Sequence, residues 1–364
     1  MTALAWKVRP AVGADAREDR IPSQIHSPNG LPTSRNYSNF VIIGSNFNSP
    51  LDMRILVLGA GGTGGYFGGR LAQSGADLTF LVRPARAAQL EQRGLQIRSP
   101  LGDADFPVAH VLAEDLGALA NEQPFDLVLL SCKAYDLDSA LDAVAPAVGA
   151  RTTVMPILNG LLHYAQLDAR FGRARVLGGL CFISAMKGPE GEVLHLGKPA
   201  AITFGERDGD PHSARVRGLA KRCEQAGIDY LATPNIHQQL WIKYGFLTAL
   251  AAGTCLMRAS VGRIVAGEGG AEFMRALYAE CVRVAAAAGE PIPDSAQTNA
   301  LATLLQADSP VKASMLRDLE AGQRVEAAHI VGDMLHRART AKIDAPLLNA
   351  AWCHLQAYEA QRTA

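Results

Sequence analysis

Three groups of residues in this chain have types and spacings that could do chemistry. Gly59-Ala60-Gly61-Gly62-Thr63-Gly64 fits G-x-G-x-x-G. In that pattern the first glycine permits a tight turn, the second lets a pyrophosphate approach the backbone, and the third lets a helix pack closely. Lys243 stands in a run that carries no further charge until Arg258. A lysine there must snorkel, pair with an acid, or lose basicity through desolvation. In the last case it becomes a general acid tuned by burial. Glu326 follows the break at Gly322 and opens a helical pattern, where an acid would also complement the helix dipole.

These residues need elements to hold them. Arg54 to Leu58 reads as a strand, Gly64 to Ser74 as a helix, and Asp77 to Val82, Phe125 to Ser131 and Thr152 to Leu158 as further strands. Alternation of this kind predicts βαβ units around a parallel sheet. The glycine motif then sits between strand and helix, with its phosphate-binding N–H groups at the helix start. Lys133 and Asn159 fall just past two of the strands, at the crevice where such sheets bind ligands. Leu95 to Val108 reads as an inserted hairpin turning at Ser99-Pro100-Leu101-Gly102, and Arg175 to Gly205 as strands extending the sheet.

After Pro234 helical patterns dominate: Ile236 to Leu256, Gly270 to Ala288, Pro310 to Glu320, Val325 to Thr340 and Leu347 to Gln361. Ser309-Pro310 reads as a helix start, with Ser capping and Pro in the first turn. The expected organisation is an α/β part over 53–232, a doubly wound Rossmann-type sheet, followed by an all-α part over 233–364. Residues 1–52, rich in Ser, Asn and Pro, read either as a disordered extension or as the product of an upstream start, with Met53 the true beginning.

The second strand indicates which dinucleotide is bound. An NAD site carries an acid about twenty residues beyond the motif for the ribose 2′-hydroxyl. Here Leu78 to Val82 ends in Arg83, with Arg86 close behind and no acid at that place. Arginine there suits a 2′-phosphate, so the cofactor expected is NADP.

Composition narrows the class further. Of 364 residues 48% are hydrophobic and 19% charged, and 35 basic side chains balance 35 acidic ones. That balance disfavours a nucleic-acid binder or a polybasic membrane-surface protein. The fourteen uncharged residues between Lys243 and Arg258 are too few to cross a bilayer. Six scattered cysteines without C-x-x-C, and nine single histidines, argue for reduced thiols in a cytoplasmic protein without a structural metal. Small residues around Ala249 to Gly253 allow close helix approach, within one chain or across a homodimer.

Taken in order, the glycine motif with Arg83, Ser131-Cys132-Lys133-Ala134-Tyr135, Leu158-Asn159-Gly160, Leu240-Trp241-Ile242-Lys243, and Ala313-Ser314-Met315-Leu316-Arg317-Asp318 followed by Val325-Glu326 resemble the ketopantoate reductases (2-dehydropantoate 2-reductases). The resemblance spans Met53 to about Tyr358. It implies a Rossmann domain followed by an all-α domain, a 6-phosphogluconate-dehydrogenase-like architecture, with the active site between them. It also implies NADPH as cofactor, a small 2-oxo acid as substrate, and hydride transfer to C2. By the same resemblance Lys243 is the general acid, Glu326 helps position substrate and acid, Ser314 binds the substrate carboxylate, and Lys133 and Asn159 line the cofactor-substrate junction. The presence of Lys243 and Glu326 disfavours a non-catalytic NADP sensor.

The match fails at three places. Where the family's substrate helix carries asparagines, one and two turns after the lysine, this chain has Leu247 and Ala251, and a third asparagine is replaced by Val311. All three changes exchange amide for apolar wall. Reduction of ketopantoate to pantoate stays the leading expectation from the resemblance, and these changes raise a less hydroxylated 2-oxo acid or ketone as the alternative, because a site built for hydroxyls leaves polar groups unpaired with any other ligand.

Overall fold

A computed structural model describes residues 53–363; both readings of residues 1–52 lie outside the described residues. The strands are β1 (Ile55–Leu58), β2 (Leu78–Leu81), β3 (Leu95–Arg98), β4 (Ala104–Phe106), β5 (Ala109–Val111), β6 (Leu127–Leu130), β7 (Thr153–Pro156), β8 (Gly178–Lys187), β9 (Val193–Gly205) and β10 (Asp229–Ala232). The first sheet runs β5-β2-β1-β6-β7, and every pairing in it is parallel. The chain passes from β1 to β2 on one side and later returns to β6 on the other. The switch point therefore falls between β1 and β6, where an open parallel sheet forms its ligand crevice.

Parallel strands covered on both faces read as unbroken apolar runs, and these do. Alternate residues of the strands feed two cores. Ile55, Val57, Phe80 and Leu129 join one, whereas Leu56, Leu81, Val128 and Leu130 join the other.

The glycine helix, Gly62–Gln73, lies between two sheets. A Cβ at Gly68 would come within 2.8 Å of Phe80 on β2, and one at Gly69 within 2.7 Å of Leu95 and Ile97 on β3. Bare backbone on both flanks is what lets the sheets approach the helix so closely.

The second sheet departs from the sequence reading. Arg175 to Gly205 does not extend the parallel sheet, with which it pairs through the isolated bridge Val154–Val176. Instead β8 pairs antiparallel along β9, whose other edge takes β10 at Ala201–Phe204 and the β3–β4 hairpin at Val193 and Leu194, and a separate sheet results. The hairpin itself lies where expected, with Gly102 N–H donating to the Ser99 carbonyl at 2.9 Å. The three-residue strand β5 at the edge of the first sheet carries too short a pattern to be read locally.

From Ile236 onward every regular element is helical. The long helix Ile236–Met257 has the length and hydropathy of a membrane span, yet 72% of its apolar window is buried in the protein. Its small residues serve a neighbour in the same chain. A Cβ at Gly253 would lie 2.6 Å from Met274, and one at Gly245 within 4.0 Å of Cys281 and Tyr278, all on the helix Gly270–Ala287.

A second correction concerns Ser309-Pro310, which starts no helix. Residues 310–313 form no helix, Ala313 is extended, and the helix begins at Ser314. The carbonyls of Ser309 and Val311 instead accept from Gly262 and Val261 N–H, both at 2.9 Å. They satisfy donors at the start of the short helix Val261–Val265, which its own turn cannot.

Candidate active site

The glycine loop follows β1. Gly59 has φ of +88°, a left-handed conformation that favours glycine. Around Gly61 no heavy atom stands within 4 Å of where a Cβ would be, so the loop surface is open there. A Cβ at Gly64 would collide with Ser131 Oγ and the Gly59 carbonyl oxygen. Ser131 Oγ itself donates to the Leu58 carbonyl at 2.7 Å, tying β6 to the loop. No side chain caps the glycine helix, so its first N–H groups stay available for an anion. Ala60 is buried and Thr63 half-buried beside them.

Arg86 turns toward this loop. Its Nε donates to the Ala60 carbonyl at 3.0 Å, and its buried Nη2 has no protein partner. Burial lowers its pKa, against a weaker opposing pull from Glu192. An orphaned guanidinium nitrogen beside an open glycine loop fits a phosphate-bearing dinucleotide. Arg83, by contrast, is 77% exposed and pairs with Asp136 Oδ2 at 3.1 Å. The expectation that no acid stands near Arg83 is therefore corrected. Asp136 lies 53 residues away in sequence and arrives on the loop after β6, so strand spacing could not reveal it.

Lys243 and Asn159 come together. The long helix brings Lys243, 9% exposed, against the loop after β7, and Nζ donates to Asn159 Oδ1 at 3.2 Å. Nζ also stands 5.8 Å from the centroid of the Phe182 ring on β8. Burial lowers the lysine's pKa, and the nearby Cys181 and Glu326 oppose that shift without reversing it. Gly160, with φ of +81°, permits the contact that closes this corner. A Cβ there would lie 2.6 Å from the His329 carbonyl oxygen. Next to the lysine, the Tyr244 hydroxyl donates to Asp333 Oδ2 at 2.8 Å, with the Ile330 carbonyl as an alternative acceptor at 3.0 Å, pinning the long helix to the π-turn Ala328–Gly332.

A second cluster gathers Lys133, Asp318 and Glu326. Lys133 Nζ donates to Asp318 Oδ2 at 2.7 Å and lies 3.5 Å from Glu326 Oε2. Glu326, 5% exposed, also accepts from Ala134 N–H at 2.9 Å. Burial would lower the Lys133 pKa, but the Glu326 and Asp318 carboxylates outweigh it and raise it. Glu326 has no hydrogen bond to Lys243; its field reaches the lysine without contact.

Ser314 opens the helix Ser314–Glu320 and is half-buried. Leu247 is half-buried on the lysine's helix, whereas Ala251 is 1% exposed and belongs to the helical core. Val311 packs against the same core from the segment before Ser314. The sequence reading assigned nothing to Asp318 or Phe182. For Asp318 the signal was its i+4 spacing from Ser314, which places both on one helix face. Phe182 gave no local sign.

Fold and site together define an oxidoreductase of the two-part kind, a dinucleotide-type sheet facing a helical layer that carries a buried lysine. The description "Ketopantoate reductase PanE/ApbA" matches residues 55–209, and "Ketopantoate reductase PanE/ApbA C terminal" matches residues 235–359. The chain belongs to the ketopantoate reductase family. It is 36% identical over 310 residues to a Bacillus subtilis protein described as the uncharacterized oxidoreductase YkpB, covering 85% of this chain and all of that one. Against the 2-dehydropantoate 2-reductase of Mesorhizobium japonicum identity is 27%, over 82% of this chain and 95% of the relative. The crystal structure of a PanE/ApbA family ketopantoate reductase from Ralstonia eutropha JMP134 superposes with a TM-score of 0.76 at 26% identity, covering 86% and 100% of the two chains. D-mandelate dehydrogenase, solved with NADH and anilino(oxo)acetate, also reaches 0.76 at 20% identity over 86% and 100%, a likeness of fold alone.

Proposed function

We propose that the protein reduces a 2-oxo acid to the 2-hydroxy acid with NADPH, and that ketopantoate is the first substrate to test. The observation that carries this reading is the buried Lys243, which donates to a neutral amide and not to a carboxylate. One ammonium proton is held by Asn159 Oδ1, and the others remain free to meet a carbonyl oxygen.

A nicotinamide cofactor held at the glycine loop would supply the hydride that reaches C2 of the substrate. As charge develops on the 2-oxo oxygen, Lys243 stabilises it and transfers a proton, which completes the alcohol. Asn159 fixes the direction of Nζ. Burial lowers the lysine's pKa and so makes the proton easier to give. Glu326, neutralised by Lys133 and held by Ala134 N–H, keeps the loop after β6 against the helical layer. Gly59 to Gly64 and Arg86 would hold the pyrophosphate, and Arg83 the 2′-phosphate in competition with Asp136.

Leu247 and Val311 favour a second reading within the same chemistry. Both offer hydrocarbon where the family's asparagines would meet hydroxyls, so a less hydroxylated 2-oxo acid would suit the site. NADPH oxidation with ketopantoate and with its deoxy analogue separates the two. Comparable rates support the second reading, and strict dependence on the hydroxyl overturns it. Absence of turnover with every 2-oxo acid would overturn both.

Arg83→Ala is expected to raise the KM for NADPH about tenfold while leaving that for NADH nearly unchanged. An exposed charge-assisted contact contributes about 1–1.5 kcal/mol once solvent screening is allowed for. Equal shifts for both cofactors would remove Arg83 from the 2′-phosphate site.

A further inference from the structure

Resting on the reading of the substrate as a 2-oxo acid, we infer that Arg317 binds the substrate carboxylate. A 2-oxo acid brings a carboxylate directly beside the reacting carbonyl. In a half-closed crevice that charge needs a cationic partner. Three buried or half-buried cations stand in the two clusters and the adjoining helix, since Arg324, over the Tyr135 ring, is exposed. Lys243 is committed to the carbonyl oxygen. Lys133 is neutralised by Asp318 and Glu326. Arg317 remains, and none of the ion pairs among the described residues includes it.

What Arg317 does contact shows that its capacity is unused. Nη2 donates to Ser184 Oγ and Nη1 to the Lys312 carbonyl, both at the long distance of 3.3 Å and both to neutral oxygens. A guanidinium has five donors in a fork that matches a carboxylate in two places at once. A half-buried arginine on two weak contacts is therefore poised to exchange them for a charged ligand.

The placement fits. Ser184, beneath Arg317, is two residues along β8 from Phe182, beneath Lys243. Two residues along a strand span roughly 6–7 Å. The two cations thus contact neighbouring stretches of one strand, one through Phe182 and the other through Ser184. The strand has an irregular register between Ile183 and Ala185, the kind of local bend that re-aims side chains beside active sites. Ser314 lies three residues before Arg317, on the same helix face. Its hydroxyl makes no hydrogen bond among the described residues, and it can serve the same carboxylate.

The competing occupant is the cofactor, because the backbone of Ala185 and Met186 abuts Gly62 at the start of the glycine helix. The test must separate the two. Arg317→Gln and Arg317→Lys are assayed with a 2-oxo acid and with its uncharged methyl ester, and NADPH affinity is measured by fluorescence titration. Expected for Arg317→Gln is a KM for the acid raised about 10- to 100-fold with a much smaller change in kcat. The KM for the ester and the Kd for NADPH stay within twofold. Arg317→Lys keeps charge and stem but loses the fork, so it recovers part of the acid KM and tests the point even if the glutamine variant fails to fold. Parallel shifts for acid and ester would reduce Arg317 to a structural tie between helix and β8. A raised Kd for NADPH would place it on the cofactor. Wild-type turnover with an unmoved acid KM removes only this inference, whereas no wild-type turnover with any 2-oxo acid removes the proposed function as well.

Discussion

Lys243→Met is expected to lower kcat by about 10²- to 10⁴-fold, the usual contribution of a positioned general acid, while NADPH still binds. Methionine keeps the length and apolar body of the side chain, so the loss reads the proton and the charge and not a cavity. The wild-type kcat should fall with rising pH as the lysine deprotonates. Because burial lowers its pKa, that limb should lie below lysine's ordinary 10.5, and the variant should lack it.

Stability moves the opposite way. Between the lowered folded pKa and the unfolded value of about 10.4, the unfolded chain binds more protons than the folded one. Wild-type stability therefore rises with pH through that window. Removing the buried charge should stabilise the folded state by about 1 kcal/mol or more. A melting temperature that rises while kcat collapses marks a lysine kept for chemistry. Retained turnover together with a lowered melting temperature would mark a structural one and sink the assignment.

The second large effect contrasts two glycines of one motif. Gly64→Ala is expected to cost about 1–3 kcal/mol, the usual price of overpacking, because its Cβ meets Ser131 Oγ and the Gly59 carbonyl. Thermal denaturation reads this directly, and NADPH affinity should drop at least tenfold as helix and loop separate. Gly61→Ala should leave stability within about 0.5 kcal/mol, since its Cβ meets nothing and its φ of −88° suits alanine. It should nevertheless weaken NADPH by a similar factor, because the methyl occupies the surface left open for the pyrophosphate. Equal destabilisation by the two substitutions, or undiminished binding by Gly61→Ala, would contradict the division of labour between them.

Much of the fold was legible locally. β1, the glycine turn and the helix after it are contiguous, so their residues report on one another. The long helix was legible from its uncharged run, and the observed Ile236–Met257 differs from the expected span by a single residue. The reading failed where pairing partners are remote. Arg175 to Gly205 has strand character, but which sheet it joins depends on β3, some eighty residues earlier. Ser309-Pro310 has the side chains of a helix start, yet the carbonyls there are taken by Val261 and Gly262. Local propensity cannot see such a claim on the backbone.

The candidate site divides along the same line. By itself the sequence determined residue types: a glycine motif between strand and helix, an arginine at the end of β2, a lysine on an apolar helix, and an acid after the Gly322 break. Only the tertiary structure decided the partners. Lys133 and Asp318 are 185 residues apart, Ala134 and Glu326 192, Asn159 and Lys243 84, and Arg317 and Ser184 133. The physical reason is that a side chain's charge state and freedom depend on what desolvates it and what it touches. In this protein those neighbours come from the facing layer of the fold, not from adjacent positions in the chain.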